Sequence, residues 1–217
     1  MKSFVEPLIL YWVLFLRVSA GAVPPDGPVE FSASAEIARM LLYSVPSLIL
    51  VWYLMLKARS LAEWGIELPR KRDAVAAGLA FPALLLIGLT ISLVSPYFSA
   101  IPADTRLMPP KTAVSWVALS FSCLVSAYLE ESYFRLYLIS KRKEMGIGLH
   151  RAVLVSTLLF STCHAYEGPW GFLNAALSGV LLAYIFIRFR SLHGIAVAHA
   201  LYNIVAYALN ALPPAPA

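Results

Sequence analysis

The stretch TAVSWVALSFSCLVSAYLEESYFRLYLIS (112–140) is almost entirely apolar or small, yet it contains Glu130, Glu131 and Arg135. It exceeds the ~20 residues that a helix needs to cross a ~30 Å hydrocarbon layer. A charge placed that deep costs at least about 2.5 kcal/mol. Three such charges in one span therefore imply a polar interior shared with other helices.

The rest of the chain fits that frame. Of its 217 residues, 60% are hydrophobic and only 13% charged, with a mean hydropathy of +0.74. Soluble domains carry roughly 25% charged residues. Seven apolar segments run approximately over 4–23, 37–56, 74–100, 113–139, 152–166, 171–187 and 194–212. The expected fold is all-α: a polytopic helical membrane protein of about seven transmembrane helices, one integral domain over 1–217, with a catalytic site inside the bundle. Pro46 and Pro82 fall within the second and third segments and are expected to bend them. Pro24, Pro25, Pro28 and the 213–216 tail read as loops or ends.

The first segment resembles a signal peptide, with Lys2, a short apolar run and V-S-A before Gly21. Glu6, Pro7 and Arg17 argue against that, so a retained first span is expected. The net charge of +5 is not a nucleic-acid signal, because the basic residues sit in short loops. With an inside N-terminus, Lys2, Lys57, Arg59, Arg70, Lys71, Arg72, Lys141, Arg142, Lys143, Arg151, Arg188 and Arg190 share one face, 12 of the 17 Lys and Arg. Only Arg106 and Lys111 fall opposite. This asymmetry places the N-terminus in the cytoplasm. Cys123 and Cys163 lie in apolar runs and read as buried thiols. Glu36 and Arg39 read as a snorkelling pair, Arg17 likewise, and His150 and His193 as interfacial.

Depth, counted from the basic loops at about 1.5 Å per residue, brings further polar groups to the level of Glu131, about 15 Å in. His164 lies about 20 Å in, His199 about 14 Å and Asn203 about 20 Å. Glu131 and Arg135 are i,i+4 and can pair, as are His199 and Asn203, while Glu130 is turned about 100° away. Adjacent carboxylates in a low dielectric cannot both ionise cheaply, and one that holds a proton beside a histidine can take it from water and return it. A histidine and an amide can donate to an oxyanion. The chemistry implied is water attack on an amide. Ser161 and Cys163 are not expected to serve His164 as triad partners, because neighbouring helical side chains diverge.

EESYFR (130–135), FSTCH (160–164) and HALYN (199–203) together resemble the EExxxR, FxxxH and HxxxN motifs of the CPBP family, the CAAX-protease and bacteriocin-processing (Abi, Rce1-like) membrane proteases. LAEWGIELPRKR (61–72) and RFRSLHG (188–194) are also similar. The resemblance covers a core over 112–207 and implies a glutamate-dependent intramembrane endopeptidase. Glu130 and His164 would activate water, Glu131 and Arg135 would hold the geometry, and His199 and Asn203 would form the oxyanion site. Leu136 departs from the small residue common at that position, which bears on substrate fit. The implied partners are a membrane-anchored protein or peptide substrate and the lipid bilayer. The implied location is a bacterial inner membrane, with a role in protein sorting or maturation. No cofactor is expected. One alternative has Glu130, His164 and His199 binding zinc, although no HExxH occurs. Another is a non-catalytic membrane scaffold or immunity protein. A transporter would be expected to show repeated halves, which the sequence lacks.

Overall fold

The computed structural model describes residues 4–16, 30–98 and 108–209. Arg17, the residues flanking Gly21, Pro24, Pro25, Pro28, Arg106 and the 213–216 tail lie outside them. The described residues form helices α1 (Val5–Leu16), α2 (Ala33–Ala58), α3 (Leu61–Trp64), α4 (Lys71–Phe98), α5 (Ala113–Leu138), α6 (Arg142–Met145), α7 (Leu149–Thr162), α8 (Gly168–Phe189) and α9 (Leu192–Leu209). Of these α2, α4, α5, α8 and α9 are long and apolar enough to cross a membrane, and α1 and α7 are shorter apolar helices. These seven correspond to the seven expected segments. The protein is a polytopic helical membrane protein.

Local chemistry starts and stops these helices. Ser32 and Thr112 cap α2 and α5 by accepting from the amides of Ala35 and Ser115. Ser60 and Glu63 form a capping box on α3, and Gly65 ends it at φ +76°. The Ser60 hydroxyl and amide hold the exposed Glu63 carboxyl below its usual range. Pro46 follows a π-helical turn, Met40–Ser44. A second π turn ends α1, and a third, Ser132–Leu138, ends α5.

Apolar side chains are turned out as well as in. Leu42, Leu86, Leu93 and Val114 are among the most exposed. In a soluble protein such surface would aggregate, whereas in a bilayer it is the lipid face. The interior is built from aromatic and small residues. Tyr11 and Phe15 of α1 pack with Tyr133 and Phe134 of α5. Tyr133 donates to Pro7 O at 2.6 Å, and Tyr137 and Lys141 reach Glu6 at 2.6 and 2.9 Å. The first helix is thus part of the core that backs the charged motif.

α9 lies along α4 and α5, and α8 along α7 and α4. The closest approach is at Gly194. A Cβ there would stand 2.5 Å from Asp73 O and 2.8 Å from Ala76 Cβ, so only glycine lets α9 seat against α4. Asp73 also accepts from Ser191 and from the Arg70 amide, tying the start of α4 to the start of α9. His193 spans the same joint, with Nδ1 at 2.8 Å from Tyr128 Oη and Nε2 at 2.9 Å from Glu67 O. These contacts set the height of His199.

Candidate active site

Glu130 and Glu131 are at the end of the regular part of α5, and Arg135 sits in the π turn that follows. The Arg135 Nε lies 3.2 Å from Glu131 Oε2, with both side chains fully buried. The pair is close without hydrogen-bond alignment. Glu131 Oε2 and all three guanidinium nitrogens lack a hydrogen-bond partner among the described residues. The guanidinium is instead held over Phe160, with Cζ 4.3 Å from the ring centroid. Gly179 of α8 leaves room for it, since a Cβ there would lie 3.6 Å from Arg135 Nη2 and 3.3 Å from Phe160 Cδ1.

The other Glu131 oxygen holds His199. His199 Nδ1 stands 2.9 Å from Glu131 Oε1, and Nε2 faces Glu130 Oε2 at 3.7 Å. The imidazole is therefore clasped between the two carboxylates. The side chain of Glu130 is 21% exposed, whereas Glu131 and Arg135 are at 0%. Of the two acids, Glu130 is the one with room for a reactant beside it.

His164 enters differently from the expectation. α7 ends at Thr162, and Cys163 and His164 lie in the turn beyond it. There the neighbouring side chains do not diverge: Cys163 Sγ is 3.5 Å from His164 Nδ1. The divergence argument fails because it assumes helical backbone, and the helix ends at Thr162. His164 Nδ1 is 2.8 Å from Phe160 O. A carbonyl only accepts, so Nδ1 carries the proton and Nε2 is left available. Phe160 also stacks on His164 at 4.5 Å between centroids and meets His199 edge-on at 6.0 Å. One ring thus braces Arg135, His164 and His199 together. Glu130 is within electrostatic range of His164.

Asn203 is one turn beyond His199 on α9, partly exposed, and makes no hydrogen bond among the described residues. Of the six expected site residues, Glu130, Glu131, Arg135 and His199 are in direct mutual contact, His164 joins through Phe160, and Asn203 shares only the face of α9. Three contributors were not anticipated as such: Phe160, Gly179 and Glu167, which lies within electrostatic range of His164. Phe160 stands at the head of the FSTCH motif, and Glu167 is i+3 from His164. Those spacings were the available signals.

The Glu36–Arg39 pair is part exposed and is also bonded to a neighbouring helix. Arg39 Nη2 donates to Ser122 at 2.7 Å, Ser122 donates to Glu36, and Arg39 Nη1 reaches Ser44 and Ser126. The pair turns inward onto α5.

The apolar-faced helices thus enclose two carboxylates, an arginine and two histidines in one polar cluster. Residues 112–205 match the Rce1-like family, described as type II CAAX prenyl endopeptidase, and over that stretch the chain is similar to it. The matched residues take in all three motifs, helices α5 to α8 and most of α9. The similarity supports a membrane endopeptidase in general, acting on a membrane-associated protein or peptide. No curated protein and no solved structure matches the chain.

Proposed function

We propose that the chain is an intramembrane endopeptidase of the glutamic type, with 112–207 as the catalytic core of one integral domain. The observation that carries this reading is the clasp of His199 between Glu130 and Glu131, with Glu131 backed by Arg135. It separates two carboxylates by role. Glu131 is fully buried and committed to Arg135 and His199. Glu130 is partly open and uncommitted.

In the proposed reaction, Glu130 takes a proton from water as the water oxygen attacks the peptide carbonyl carbon. His164 Nε2 accepts from the same water and orients it. The carbonyl oxygen becomes an oxyanion that accepts from the Asn203 amide and, where His199 carries a proton on Nε2 as well as Nδ1, from His199. Glu131 Oε1 fixes the His199 ring through Nδ1. As the tetrahedral intermediate collapses, the C–N bond breaks and Glu130 returns its proton to the leaving nitrogen. The products are a carboxylic acid and an amine, with no covalent enzyme intermediate. A bacterial inner membrane with an inside N-terminus, and a role in sorting or maturing membrane-anchored proteins, complete the proposal.

The test is a comparison of membrane proteomes from cells carrying the native protein or Glu130→Gln, with peptide termini mapped by mass spectrometry. A set of anchored proteins left uncut only in the variant supports the reading. Identical maps from a stably inserted variant refute it. Purified protein that keeps its turnover in a strong chelator supports carboxylate chemistry. Loss of turnover, restored by zinc, moves the same residues to a metal mechanism.

A further inference from the structure

We propose that Glu36, Arg39, Ser122 and Ser126 line a hydrated path that delivers water to Glu130 from the end of the bundle where α2 and α5 begin. Ser122, Ser126 and Glu130 are spaced i, i+4, i+8 and so form one row along α5. α2 lies over this row. Glu36 and Arg39 both bond Ser122, and Arg39 and Ser44 both lie within 3.5 Å of Ser126. Arg39 and Tyr43 are within electrostatic range of Glu130, one turn further in, and Tyr207 of α9 is within range of Arg39.

Two observations make this row wet rather than dry. The Arg39 side chain is 44% exposed, less than two turns into α2, while its guanidinium bonds Ser122 and Ser126 of α5. A guanidinium that stays open while lining a helix–helix seam needs water beside it. The row also starts at an aqueous end. There Glu30 and Lys111, just before α2 and α5, form an ion pair with side chains 78% and 71% exposed. The row therefore joins solvent at that end to the half-open carboxylate of Glu130, while Glu131 and Arg135 stay sealed. Hydrolysis consumes one water per bond cut, and a site enclosed by lipid-faced helices needs a supply. That use of the path rests on the endopeptidase reading, but the path itself does not.

The test measures water at Ser126 without reference to turnover. Ser126→Cys is placed in a chain whose two cysteines are replaced by alanine, with Phe121→Cys on the exposed apolar face of α5 as comparison. Membrane vesicles of both orientations are treated with a charged, membrane-impermeant methanethiosulfonate, which reacts only with a thiolate and hence only where water solvates one. Modification of Ser126→Cys at least about tenfold faster than Phe121→Cys, from the side bearing Glu30 and Lys111, is the expected result. Equal rates mean a dry helix–helix seam and overturn the proposal, as does reaction solely from the opposite side. Should the cysteine variants fail to accumulate, hydroxyl-radical footprinting of the native protein replaces them. Faster oxidation of Tyr43 and Tyr207 than of Phe121 supports the path, and no difference overturns it.

Discussion

α5 carries two acid–arginine pairs against its inner face, one near its start and one near its end, and they are built in opposite ways. The Glu36–Arg39 pair brought by α2 is part exposed, and its guanidinium donates through Nε, Nη1 and Nη2 to a carboxylate and three serines. The Glu131–Arg135 pair is sealed, has no aligned hydrogen bond on the arginine among the described residues, and relies on the face of Phe160. The outer pair is arranged as solvent would arrange it. The inner pair is held in place by packing against its own desolvation cost, an arrangement that stability alone does not call for.

The comparison can be broken most directly at Glu130. Glu130→Gln is expected to lower turnover by about 10³-fold or more with native accumulation, whereas Arg39→Met should lower it far less. Similar losses from both, read in a peptide-release assay, would erase the distinction between the two regions. Next comes stability. Arg135→Met leaves Glu131 buried without its arginine, with His199 as its remaining partner, and is expected to cost about 3–5 kcal/mol, while Glu131→Gln with Arg135→Met together should cost less than Arg135→Met alone. Arg39→Met, at a partly exposed pair, should cost about 1 kcal/mol or less. Thermal unfolding in detergent ranks the three.

A smaller effect is expected at Gly179. Alanine there would press on Thr157 and Phe160 at 3.2 and 3.3 Å, costing about 1–3 kcal/mol and shifting the ring that braces Arg135. A fall in turnover at unchanged apparent substrate affinity would show that brace acting on the site. The smallest effect is at Glu6. Glu6→Gln weakens its bonds to Tyr137 and Lys141 at a half-exposed position, for about 0.5–1 kcal/mol. Amide exchange over α1 should rise while exchange around Ser122 stays unchanged.

The membrane fold was legible because hydropathy acts residue by residue. Glu131 and Arg135 could be paired on spacing alone, while His199 was brought to them by counting residues from the basic loops. What could not be read depends on neighbours. The inward turn of Glu36 and Arg39 follows from α2 lying on Ser122 and Ser126, and either outcome satisfies the same i,i+3 spacing. The end of α7 before His164 was hidden by an apolar run continuing to Tyr166. The π turn at Ser132–Leu138 leaves no signature in residue type, because a backbone hydrogen bond shifted by one residue asks nothing particular of the side chains.

That π turn makes the motif a phase setter. It holds one residue more than an α-helical turn accommodates, between the acids of α5 and the Lys141 anchor to Glu6. Removing any single residue from 132–138 would let the segment rewind as ordinary helix. The flanks then keep their phase, so Glu130 and Glu131 stay toward His199 while Tyr137 and Lys141 stay toward Glu6. The regular part of α5 has no such slack: losing one residue there turns everything beyond it by about 100° and shortens it by about 1.5 Å. Deletions within 132–138 should therefore be absorbed more readily than deletions within 113–131.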